Sequence, residues 1–150
     1  MSNRSLKILV VEDSKALAST YKQVLEVEGH KVTVTYDGKT ELEIYEKELK
    51  KGFVGKTPFD IIISDNSMNE MNGREAAKVI RSFVPHQKFF FVTGEKQLIL
   101  DAFDVDGKTM DVEEKPISMR LFLKKINHLT QYEQITISKR NSRYKKNFPN

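Results

Sequence analysis

Five side chains able to do chemistry stand where short apolar runs stop. Glu12 and Asp13 follow Leu6-Lys7-Ile8-Leu9-Val10-Val11, and Asp65 follows Asp60-Ile61-Ile62-Ile63-Ser64. Thr93 follows Lys88-Phe89-Phe90-Phe91-Val92, and Lys115 follows Met110-Asp111-Val112-Glu113-Glu114. Apolar runs of this length suit strands buried on both faces, as in a parallel sheet. Parallel strands end on one edge, and that edge is where open α/β sheets bind ligands. Residues far apart in sequence are therefore expected to meet at one rim.

Three carboxylates at one rim repel. At an effective dielectric of about 20, two unit charges about 4 Å apart interact by about 4 kcal/mol. Such a cluster takes up protons or recruits a cation. Hard oxygen donors at an open edge suit Mg²⁺, which keeps several waters and shares a phosphoryl oxygen. A lysine and a hydroxyl nearby match the remaining oxygens of a phosphoryl group. The pattern predicts a site that puts a phosphoryl group on one carboxylate, and Asp65, on the central strand, is the candidate nucleophile.

The elements that must position these residues alternate. After the first strand, Ser14 is a candidate helix cap, Leu17, Tyr21, Val24 and Leu25 recur at helical spacing, and Gly29 closes the helix. Lys31-Val32-Thr33-Val34-Thr35 is a β-branched second strand. Asp37-Gly38 reads as a turn, and Leu42, Tyr45 and Leu49 mark a second helix. Lys50 to Pro58 reads as a basic loop before the Asp65 strand. Arg74 to Ile80 forms a third helix, and Leu98, Ile99, Ala102 and Phe103 a short fourth one. The adjacent glutamates of the last strand suit an edge position. Ser118 is a candidate cap for a final helix with Phe122, Leu123, Ile126 and Leu129 on its buried stripe. Five strands alternating with five helices predict a parallel sheet with helices on both faces.

Composition narrows the rest. The chain has no cysteine, which excludes disulfides and thiolate metal sites and fits a reducing compartment. No apolar stretch reaches the length of a membrane span or a signal-peptide core, so no span and a cytoplasmic setting are expected. The net charge of +4 is local. Residues 131–150 hold Lys139, Arg140, Arg143, Lys145 and Lys146 against Glu133, and the remaining chain is neutral. We expect one folded domain over residues 1–130, followed by a basic tail over 131–150. The tail reads first as a solvated extension. The other reading, contact with nucleic acid or another anionic surface, draws on Tyr144 and Phe148 interleaved with its charges.

Taken together, Glu12-Asp13, then Asp65 with Met68, Met71 and Asn72-Gly73, then Thr93, then Lys115-Pro116, resemble the receiver domain of two-component response regulators, the CheY-like family. The resemblance covers nearly everything but the tail. It implies a flavodoxin-like sheet of order 2-1-3-4-5. It also implies phosphoryl transfer to Asp65 from a sensor histidine kinase or phosphotransfer protein, and a changed contact with a downstream protein effector. Glu12, Asp13, Asp65 and the backbone carbonyl of Ser67 would hold Mg²⁺. Lys115 would pair with the phosphoryl group, and Thr93 would turn to bond it.

The chain departs from that family pattern in places. Asn69 replaces the usual proline after the first methionine, and Glu12 is longer than the usual aspartate. Val112 stands where most members have a Tyr or Phe that turns inward, and Glu113 where an aliphatic residue is usual. Two other functions compete. An aspartyl-phosphate phosphohydrolase would carry a second aspartate two residues after the nucleophile, where this chain has Ser67. A receiver fold kept as a binding module would never be phosphorylated. Singly, each motif has a plain structural explanation: acids at a helix start, an Asx turn, a strand exit. His30, His86 and His128 share no ligand spacing. Gly55-Lys56-Thr57 lacks the first glycine of a phosphate-binding loop, since position 50 is Lys50.

Overall fold

The computed structural model describes residues 4–52 and 57–131. Its elements run in strict alternation. They are β1 (Lys7–Val11), α1 (Lys15–Val27), β2 (Lys31–Thr35), α2 (Gly38–Leu49), β3 (Ile61–Ser64), α3 (Gly73–Phe83), β4 (Phe89–Thr93), α4 (Lys96–Ala102) and β5 (Met110–Glu114). A last helix, α5, occupies residues 119–131. The basic segment from 132 onward, with Tyr144 and Phe148, and the Gly55-Lys56 pair lie outside the described residues.

All five strands are parallel, in the order β2-β1-β3-β4-β5. The expected order is met, and β5 is an edge strand as its glutamates predict. Side chains of successive strand residues point to opposite faces, which divides the core in two. On one face Ile8, Val10, Ile61, Ile63 and Phe90 pack against Tyr21 and Leu25 of α1 and Phe122, Ile126 and Leu129 of α5. On the other, Leu9, Val11, Ile62, Phe89 and Phe91 meet Tyr45 of α2, Ala77 and Ile80 of α3, and Ile99 of α4. The run Phe89-Phe90-Phe91 is wholly core, as expected, and it feeds both faces.

Local signals explain where the helices begin. The Ser14 hydroxyl accepts from the Leu17 N–H at 3.3 Å, and the Ser118 hydroxyl accepts from Leu121 N–H at 3.1 Å. Asn72 caps α3 through a reciprocal box with Glu75. Asp37 and Gly38 differ from expectation. Asp37 caps α2 by accepting from Thr40 N–H at 2.7 Å, and Gly38 is already the first helical residue. Two of the final strand's acids are paired from α5: Lys125 Nζ lies 2.8 Å from Asp111 Oδ2 and 3.1 Å from Glu113 Oε2. Among the described residues, no helix is long and apolar enough to cross a membrane.

Candidate functional site

The carboxyl edge collects four of the five predicted side chains into direct contact. Glu12, Asp13 and Asp65 present carboxylate oxygens that lie within 4.8 Å of one another. Glu12 and Asp65 are buried and Asp13 is exposed, so the cluster is an acidic floor with one open side. Lys115 Nζ donates to Asp65 Oδ2 at 2.8 Å and lies 2.7 Å from Glu12 Oε1. The ends of β1, β3 and β5 thus meet at one point, β1 supplying Glu12 and Asp13, β3 Asp65 and β5 Lys115. The peptide bond from Lys115 to Pro116 is cis.

Electrostatics follow from this geometry. Burial pushes the Glu12 carboxyl above the ordinary carboxylate range, and contact with Lys115 only partly opposes it. For Lys115, burial alone would lower the ammonium. Its contacts with Asp65 and Glu12 outweigh that and hold it above the usual lysine value. The lysine therefore stays charged and ties two acids together. An all-oxygen set with two buried acids and one open side fits a hard divalent cation and offers nothing to a soft one.

Thr93 sits at the end of β4, on the strand beside β3, and is fully buried. Its Oγ1 accepts from Glu95 N–H at 3.1 Å, which leaves its own O–H to give. Ser67 N–H donates to Asp65 Oδ1 at 3.3 Å, so the loop after β3 folds back over the carboxylate. Gly73 is what permits this loop. A Cβ there would stand 2.0 Å from the Asp65 carbonyl oxygen and 2.8 Å from Ser64 Oγ. Gly38 is held as tightly, since its Cβ would meet the Met71 carbonyl oxygen at 2.5 Å.

Two residues of the site lie outside those expected from the sequence. Asn66 is buried and joins three segments. Its Oδ1 accepts from Arg74 N–H at 3.0 Å, its Nδ2 donates to Glu95 Oε1 at 2.8 Å, and its carbonyl accepts from Gly73 N–H. Tyr21 is the other: predicted as one apolar position of α1, it lines a cleft with Leu17, Lys115, Pro116 and Ile117. Adjacency to Asp65 could have flagged Asn66; nothing in the spacing distinguishes Tyr21 from a leucine.

Known proteins resemble this chain in sequence and fold. The family model described as response regulator receiver domain matches residues 8–127. The chain belongs to that family. Among solved structures, a CheY-like receiver domain protein from Methanospirillum hungatei JF-1 is 25% identical, with a TM-score of 0.71 over 89% of this chain and 99% of that one. A receiver domain of a sensor histidine kinase from Pseudomonas aeruginosa is 18% identical, with a TM-score of 0.68 over 85% and 99%. Among curated proteins, the response regulator SaeR of Staphylococcus aureus is 25% identical over 122 residues, 81% of this chain and 49% of SaeR. A probable histidine kinase of Oryza sativa subsp. indica is 35% identical over 82 residues, 55% of this chain and 8% of that protein. The receiver thus spans about half of SaeR and a small part of the kinase. The family is one of signalling domains rather than of conventional enzymes, and its members act with histidine kinases.

Proposed function

We propose that this receiver accepts a phosphoryl group on Asp65, in a Mg²⁺-dependent reaction, from the phosphohistidine of a sensor histidine kinase or phosphotransfer protein. The observation that carries the reading is Lys115 Nζ beside both Glu12 and Asp65, with Asp13 completing the oxygen cluster. An Asp65 carboxylate oxygen attacks phosphorus as the bond to the imidazole nitrogen breaks, and the imidazole leaves with that electron pair. Glu12, Asp13, Asp65 and the Ser67 carbonyl would hold Mg²⁺, which would supply charge neutralisation for the phosphoryl oxygens. Lys115, already bonded to Asp65 Oδ2, follows the added negative charge, and the Thr93 O–H donates to a further oxygen. The receiver from Pseudomonas aeruginosa, whose structure has a magnesium ion coordinated in the active site cleft, supports the choice of metal.

The added charge, roughly −1.5 to −2, reorders the loops after β3 and β4 and changes affinity for a downstream protein. Val112 is buried and aliphatic, so no aromatic turns inward at that position. The Asn66 bridge between Arg74 and Glu95 couples those two loops directly instead. We place the receiver unit within residues 1–130 and the basic segment 131–150 outside it, and we assign the protein to the cytoplasm. Acetyl phosphate with Mg²⁺ should add one phosphoryl mass to the intact wild-type protein and none to Asp65→Asn. An unchanged wild-type mass would favour a receiver fold used only for binding.

A further inference from the structure

The loop between β3 and α3 begins at Asp65 and has little of its own to hold it. With Asn69 rather than proline, it lacks a fixed φ at that position, and Glu70 adopts a positive φ of 66°. Met68 is partly buried against the core, and the Met71 carbonyl accepts from Gly38 N–H at 3.2 Å. The start of the loop is held by Asn66. This residue stands between Asp65 and Ser67, and Ser67 N–H reaches back to Asp65 Oδ1 at 3.3 Å. The Asn66 carbonyl accepts from Gly73 N–H at 3.1 Å, Oδ1 accepts from Arg74 N–H at 3.0 Å, and Nδ2 donates to Glu95 Oε1 at 2.8 Å. Glu95 is itself anchored, because its N–H donates to Thr93 Oγ1 at 3.1 Å. A short side-chain amide offers an acceptor to the Arg74 N–H and a donor to a carboxylate at once, which an aspartate or a leucine there would not.

A cation site built partly from loop backbone binds best when that backbone is placed before the ion arrives, since ordering it on binding costs affinity. Hydrogen bonds that orient the ligands from behind are worth tenfold or more in metal affinity. We propose that Asn66 is a positioning residue for the divalent cation: tied to Gly73, Arg74 and Glu95, it pre-organises the Asp65 carboxylate and the Ser67 carbonyl as ligands. Asn66 has this role only if Glu12, Asp13 and Asp65 hold the cation, as in the proposed function. Every contact it needs is already made in the structure, so it acts on the unmodified receiver and asks for no rearrangement.

The test titrates Mg²⁺ alone into the full chain, followed by the amide NMR signals of Asp13 and Ser67, beside a thermal melt of each metal-free variant. Asn66→Ala should bind Mg²⁺ about tenfold more weakly than wild type. Glu95→Ala and Glu95→Gln lose the same charge, but only glutamine keeps an oxygen that accepts from Asn66. Glu95→Gln should therefore bind Mg²⁺ more tightly than Glu95→Ala, and the gap should close when Asn66 is alanine as well. Glu95 is only half-buried, so this pair decides the matter even where Asn66→Ala fails to fold. Wild-type affinity in Asn66→Ala with only its melting temperature lowered, or equal affinity in the two Glu95 variants, overturns the positioning role and leaves the cation and phosphoacceptance standing. No Mg²⁺ binding to wild type overturns both.

Discussion

Lys115 carries more of the local charge balance than any other side chain at the site. It is 27% exposed, whereas Glu12 and Asp65 are 2% and 5% exposed at the side chain. Removing one partner of a buried ion pair strands the other. Lys115→Ala should therefore lower stability by about 3 kcal/mol near neutral pH. Glu12 already has a raised pKa in the folded state, so its favourable contribution is complete below the unfolded carboxyl value and fades as pH rises through the folded one. The deficit of Lys115→Ala should accordingly shrink toward acid, which urea titrations at pH 5 and pH 7.5 would show. Gly73 makes a second residue-scale case. Gly73→Ala drives a Cβ into the Asp65 backbone and should cost about 3 kcal/mol, whereas Gly94→Ala, with nothing within 4 Å, should stay within about 0.5 kcal/mol. Equal midpoints for the two variants would contradict the close approach.

At the scale of elements, α2 shows where a periodic reading stops working. Leu42, Tyr45 and Leu49 predict one stripe, yet Glu41 and Glu48 are buried beside Tyr45. A charged residue reads as solvent-facing until tertiary packing covers it. Here Gly38 pulls the first helical turn under the loop at Met71, and Glu41 is on that face. Glu48 is compensated by Lys51 and Lys7, which hold its carboxyl below the usual range. Among the described residues Glu41 has no such partner, and burial, with Asp37 adding to it, pushes its pKa to about 8. Folding at pH 7 then requires proton uptake, at a cost of roughly 3 kcal/mol. Stability should fall as pH rises from about 4.5 to about 8. Glu41→Met should flatten that slope and gain most near pH 8, as thermal melts across the range would reveal. The strands and the edge placement of β5 were legible because each depends on a run of residues. The Asn66 bridge and the Glu41 burial were not, because they depend on which loops happen to meet.

For the whole molecule, the sheet separates two apolar layers that share its strands. Ile126 of α5 belongs to one layer and Ile80 of α3 to the other, and each is essentially inaccessible. Ile126→Ala and Ile80→Ala should each cost about 3 kcal/mol, within the range for buried aliphatic truncation. Because both layers grip the same β1, β3 and β4, each variant should keep one cooperative transition, seen alike by circular dichroism and tyrosine fluorescence. Separate midpoints for the two probes would mean the layers melt independently. The rim geometry was readable at this scale from strand ends alone, since a parallel sheet leaves no freedom about which ends face the same way.

The ammonium of Lys88, just before β4, is buried and donates to the carbonyl of Leu129, near the last described turn of α5. That contact pins the far end of α5 at the edge of the sheet opposite Asp65, while its near end starts four residues after Lys115. With 13 residues described, the helix is a rod about 20 Å long, held at its base by Lys88, at its middle by the Lys125 ion pairs and at its head by Phe122, buried against Tyr21. A displacement beside Pro116 would thus have to carry the whole rod along the sheet or break one of these three attachments.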